Sequence, residues 1–159
     1  MSFLLVLVVA YSILWVFTRS TLSTVSRWRV ALAAGMAIAG VMHFAQPLPF
    51  IQHLPPWVPE RGLVVFASGI VEIALGAALL GPARFRPLAG LALAAYLVAV
   101  FPGNLYVAVE GVDVAGQPGG VFPWIRLPLQ AVFIGLALWS TGVPWRRPQA
   151  VFGTLRAAA

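Results

Sequence analysis

Five runs of apolar residues, each of about the 17–25 residues that cross a bilayer, follow one another with only short polar gaps. They occupy residues 2–18, 30–48, 62–81, 87–109 and 124–141. Inside lipid a backbone must satisfy its own N–H and C=O groups, so each run is expected to be a helix. The expected fold class is therefore all-α, a polytopic membrane helical bundle of five spans. Only 9% of the residues are charged, against about 25% in a typical soluble domain. No polar stretch is long enough to fold alone, so residues 1–159 are read as one membrane domain with a short tail at 142–159.

The charges report orientation. All ten basic residues are arginines. Arg19, Arg27 and Arg29 follow the first run, Arg84 and Arg86 lie in the third gap, and Arg146, Arg147 and Arg156 follow the last. The remaining gaps hold Arg61 and Arg126 with three of the four acids, Glu60, Glu110 and Asp113. Positively charged loops stay in the cytoplasm, which gives an N-out, C-in protein in the cytoplasmic (inner) membrane. A net charge of +6 spread over separate loops is a topology signal and not a nucleic-acid footprint. The first run has no basic residue before it and no small-x-small site after it, so an uncleaved helix fits better than a signal peptide. Trp57, Tyr106 and Trp124 are expected at the outer interface, and Trp15, Trp28, Trp139 and Trp145 at the inner one. "GPARFRP" at 81–87 reads as the tight turn of a helical hairpin, and "GVDVAGQPGG" as a longer, mobile loop.

Polar residues within the runs need a reason, because an ionisable group in lipid is costly unless paired or wetted. Glu72 stands ten residues into the third run, roughly 15 Å deep at helical rise. Ser68, Gly69 and Gly76 share its stripe, so this face should meet another helix. His43 has Gly35 and Ala39 behind it and lies at comparable depth on the neighbouring antiparallel helix, where a His–Glu pair can share a proton or fix a ligand. The plainer alternative is a protonated Glu72 bonded across the bundle, with His43 as a satisfied structural residue. Pro102 should kink or open the fourth run. Asn104 follows it with both donors and acceptors. Arg126 and Gln130 share a face of the fifth run, and Arg126 either snorkels outward or turns inward as counter-charge to Glu72 or as an anchor for an anionic or carbonyl group. His53 is expected to be solvated or interfacial. Pro47 and Pro49 end the second run, and Pro55, Pro56 and Pro59 stiffen a short lid carrying Trp57.

The candidate ligand-binding residues are thus His43, Trp57, Ser68, Glu72, Asn104, Arg126 and Gln130, around an outward-opening polar pocket in an apolar bundle. No catalytic residue is assigned. The chain has no cysteine, which excludes disulfides and thiolate sites, and two histidines ten residues apart make weak ligands, so no metal is expected.

The ordered motifs "HFAQPLPFIQHLPPWVP", "SGIVEIALGAALL" and "FPGNLYVAV" resemble the DoxX-like family of small bacterial membrane proteins over about residues 29 to 141. The resemblance implies a four-helix bundle, here preceded by an additional N-terminal helix. It implies family positions at His43, Pro55, Trp57, Pro59, Ser68, Gly69, Glu72, Pro102 and Asn104, with Gly103 standing where a small Ala is expected. Named relatives are associated with quinone-linked redox complexes, including thiosulfate:quinone oxidoreductase, and distant ones act as receptor-assembly chaperones or bind sterol-like ligands. The expected function is a quinone-associated or redox-complex subunit that binds a small lipophilic ligand and is not an enzyme alone. Quinone is then the candidate cofactor, none being intrinsic to the chain. The expected partners are the lipid bilayer with a redox-enzyme subunit or a second copy. The alternative is a non-catalytic binder of lipid-like molecules or an assembly factor for membrane proteins. Transport gains little support from five runs without internal repeats.

Overall fold

The computed structural model describes residues 2–18 and 20–143. Arg19, Trp145, Arg146, Arg147, Arg156 and all but the first two residues of the expected tail lie outside the described residues. Among those described there are six α-helices: α1 (Ser2–Thr18), α2 (Thr24–Ala45), α3 (Pro47–Gln52), α4 (Arg61–Leu79), α5 (Arg86–Glu110) and α6 (Phe122–Ser140). Four of them, α2, α4, α5 with the 3₁₀ turn before it, and α6, are long and apolar enough to cross a membrane, while α1 is a shorter apolar helix. The chain is thus an all-α, multi-pass membrane protein by the length and composition of these helices.

Local chemistry moves several boundaries. Helix α2 begins six residues earlier than the expected 30, because the Ser23 hydroxyl accepts from the Ser26 N–H at 3.2 Å and caps the helix. Arg27 and Arg29 therefore sit within its first two turns and not in a loop, and Arg27 is only 7% exposed. At its other end α2 stops at Ala45, since Pro47 lacks an amide donor. The same proline then opens α3 at its first turn, where that donor is dispensable, so the expected lid begins as a helical turn. Pro102 does not end α5, which runs unbroken from Arg86 to Glu110. A left-handed Gly111 closes α5.

Helix α2 packs most extensively on α4, and α5 on α6, with thinner seams between the two pairs. The α2–α4 contact is made backbone to backbone. A Cβ at Gly40 would lie 2.7 Å from the Gly69 carbonyl oxygen, and one at Gly69 would lie 2.8 Å from His43 Cβ. The small-residue stripe of the third run thus meets α2, as expected. Helix α1 lies against α2, where Leu7 enters the core and Tyr11 stacks on Trp28 with centroids 4.1 Å apart.

The dry core is at one end of the bundle. Ala31, Leu32 and Met36 come from the first half of α2, Leu79 from the end of α4, Ala89 and Leu93 from the start of α5, and Ala137 from the end of α6. The hairpin turn closes this end, where Arg86 Nε donates to the Gly81 carbonyl at 3.1 Å. At the opposite end, beside α3 and residues 53–58, the helices line a cavity.

Candidate functional site

The cavity has a volume of about 560 Å³ and is walled by α2, α3, α4, α5 and α6 together with the lid. All seven residues expected at the site line it: His43, Trp57, Ser68, Glu72, Asn104, Arg126 and Gln130. Most of the remaining wall is apolar, with Met36, Leu97, Val100, Leu129 and Phe133 among its members. The polar groups fall into three small networks.

The first joins α2, α4 and α5. Glu72 Oε2 lies 3.4 Å from His43 Nδ1, with side-chain exposures of 12% and 6%. The juxtaposition follows from the glycine contact beside it, since Gly69 sits one turn from Glu72 and touches His43. The His43 Nδ1–H donates to the Ala39 carbonyl at 2.9 Å, so Glu72 lies beside that nitrogen without a hydrogen bond to it. The imidazole is stacked on Phe50 of α3, centroids 3.6 Å apart. Glu72 Oε1 accepts from the Tyr96 hydroxyl at 2.7 Å, whereas Oε2 is buried without a hydrogen bond. Ser68, one turn before Glu72, donates to the Val65 carbonyl at 2.8 Å.

The second network surrounds Pro102. Proline has no N–H for the Val98 carbonyl, which loosens the helix turn before it. Asn104 Nδ2 donates to Gln130 Oε1 at 2.7 Å, and Gln130 Nε2 donates to the Leu97 carbonyl. Gln130 is 5% exposed, and these two bonds satisfy both ends of its amide. Gly103 follows the proline with a purpose of its own. A methyl at this position would stand 2.9 Å from the His53 carbonyl oxygen, so an Ala would push the lid away.

The third network corrects the reading of His53 as a solvated loop residue. His53 lines the cavity and is partly buried. Its Nδ1 lies 2.7 Å from the Pro49 carbonyl and its Nε2 lies 3.1 Å from Arg126 Nη1. A carbonyl can only accept and a guanidinium can only donate, so Nδ1 carries the proton and Nε2 is a lone-pair acceptor. Burial pushes the His53 pKa below its ordinary value. The bond to Pro49 works in the opposite direction, and the nearby Arg126 charge adds to the lowering. Arg126 therefore turns inward, and its partner is His53, not Glu72. The lid is tied a second time through Gln52 Oε1, which accepts from the Ala115 N–H at 2.8 Å and anchors the loop before α6. Trp57, 78% exposed, stands at the cavity's rim on the lid.

Tyr96 and His53 are two polar residues of the cavity wall that sequence reasoning did not place there. Tyr96 carried a usable signal. It is the one hydroxyl in the apolar stretch "LALAAYLVAV", and a Tyr away from the interface requires a hydrogen-bond partner. Among the described residues no group of three or more His, Asp or Glu side chains gathers as a metal site would require.

Comparison with known proteins gives one match. A family model described as "Domain of unknown function (DUF8561)" covers residues 32–141, from within α2 to the end of α6. No curated protein and no solved structure matches the chain. The matching model is that of an uncharacterised family and not the DoxX-like one.

Proposed function

The chain belongs to that family, Domain of unknown function (DUF8561), and from this premise we propose that it is a membrane protein whose cavity binds a small lipophilic molecule with oxygen functions, of the quinone class, in association with a redox complex. The observation that carries this reading is the wall of the cavity. It is mostly apolar, of about 560 Å³, and interrupted by discrete hydrogen-bonding networks drawn from five helices. Pockets for lipophilic ligands have this composition and fall within roughly 300–1,000 Å³. The DoxX-like resemblance of the His–Pro lid, the Ser-Gly-x-x-Glu helix and the Phe-Pro-x-Asn helix supports the quinone class. In this reading Asn104 and Arg126 supply donors to a carbonyl oxygen, and the Tyr96–Glu72–His43 network relays a proton. The protein lies in the cytoplasmic membrane with α1 as a fifth span, N-out and C-in.

Binding of a short-chain quinone to the purified protein tests the proposal, read by quenching of tryptophan fluorescence. Glu72→Gln places an amide N–H₂ against the His43 Nδ1–H and disrupts the network, so affinity should fall about tenfold, the worth of roughly one hydrogen bond to a charged group. Equal affinity of the wild type and Glu72→Gln would take Glu72 out of the site.

A further inference from the structure

Among the described residues Arg126 is the sole arginine on the cavity wall, and the residues around it leave its charge unanswered. All four acids of the chain, Glu60, Glu72, Glu110 and Asp113, are among the described residues. The one acid–base contact within 4 Å found among those residues joins His43 and Glu72. Among the described residues the single hydrogen bond of Arg126 goes to Nε2 of His53, which must keep its lone pair to accept that N–H, so the ring supplies no counter-charge. A guanidinium carries five N–H donors, which leaves Nε and Nη2 unspent.

Accessibility separates Arg126 from the other buried charges. Arg27 Nε and Nη1, Arg29 Nε and Glu72 Oε2 also lack hydrogen-bond partners, but each is sealed from any approaching molecule. The unspent nitrogens of Arg126 are not among the sealed atoms. A cation within a membrane segment is expensive unless it is paired or wetted, and this one stands on the wall of a mostly apolar cavity whose one acid among the described residues, Glu72, makes no ion pair with it. The complementary molecule has an anionic, planar, two-oxygen head that a guanidinium holds through parallel hydrogen bonds, and an apolar body.

We propose that the cavity binds the anionic head of an amphiphile on Arg126, the best fit being a single-chain carboxylic acid with its chain along the apolar wall. This goes beyond the quinone reading in assigning a charge to the ligand, and it rests on that reading only in taking the cavity as a binding site. A cavity of about 560 Å³ suits one drug-sized body better than the two chains of a phospholipid, whose phosphate is the other source of the same chemistry.

The test uses the purified protein in a neutral detergent and titrates a long-chain fatty acid, its methyl ester, an anionic phospholipid and a short-chain quinone. The acid should bind at least tenfold more tightly than its ester. Arg126→Gln should abolish that difference by weakening the acid at least tenfold more than the ester, and a cooperative thermal transition like that of the wild type shows that the variant is folded. Arg126→Lys should keep part of the preference, since it keeps the charge and loses the fork. Tighter binding of the phospholipid than of the acid would assign the charge site to a membrane lipid head. Equal affinity of acid and ester in the wild type overturns the inference. If the quinone binds in that case, the proposed function stands without it, and if no titrant binds, both fall together.

Discussion

His53 shows how much one ring can decide. Its tautomer is dictated by its two neighbours, and that tautomer ties the lid to α6. The folded protein holds this imidazole below its ordinary pKa, chiefly by burial. The unfolded chain then takes up a proton at higher pH than the folded one, so the latch contributes fully above the ordinary imidazole pKa and is lost as pH falls through it toward the folded value. Thermal stability in detergent should decline over that interval. His53→Gln keeps an acceptor for Arg126 and cannot titrate, so its unfolding temperature should be flatter with pH; an unchanged slope would remove His53 from the latch. The pairing of His43 with Glu72 was legible in the sequence, because both sit on small-residue stripes at matching depth. The place of His53 was not. Its burial depends on Pro47 starting a new helical turn and on Gly103 admitting the lid backbone, and neither effect has a period or a spacing.

Among the elements, the helices were legible to within a few residues wherever apolar runs set them, and displaced where caps did. Ser23 drew α2 outward over two arginines that hydropathy alone assigns to a loop. The contact of α2 with α4 gives a sharp prediction. Gly69→Ala must force apart either His43 or the Gly40 carbonyl, and overpacking of this kind costs about 1–3 kcal/mol. Gly62 lies in the first turn of the same helix with nothing within 4 Å of its missing Cβ, and there Ala should be neutral or stabilise by up to about 1 kcal/mol. Denaturation of the two variants side by side checks the contrast, and equal stabilities would mean that the glycine contact is not tight. Gly103→Ala should leave the bundle intact and loosen the lid, seen as faster proteolysis between residues 53 and 60.

On the scale of the molecule, the chain divides into an end filled by the apolar core and an end that holds the cavity. The sequence marked the polar residues of the cavity end but not its volume, because a cavity is the space left between side chains of α2, α4, α5 and α6 that lie far apart in the chain. Orientation in the membrane is testable with little disturbance, since the natural chain lacks cysteine. A single cysteine at Gln117 should react with an impermeant maleimide on intact cells, and one at Ala83 should react only after permeabilisation. The reverse pattern would invert the proposed topology.

The backbone contact of α2 with α4 has a mechanical consequence. Two helices that touch through Gly40 and Gly69, with Ile73 and His43 wedged against those glycines, cannot slide without a clash, so they behave as a stiff plate. Compliance is left to the seam with α5 and α6, where Pro102 removes a hydrogen bond and the lid hangs on His53 and Gln52. A molecule lodged in that seam acts as a strut. Amide exchange should therefore slow on ligand binding in residues 47–59 and around Pro102, while the protection of the α2–α4 plate stays as it was.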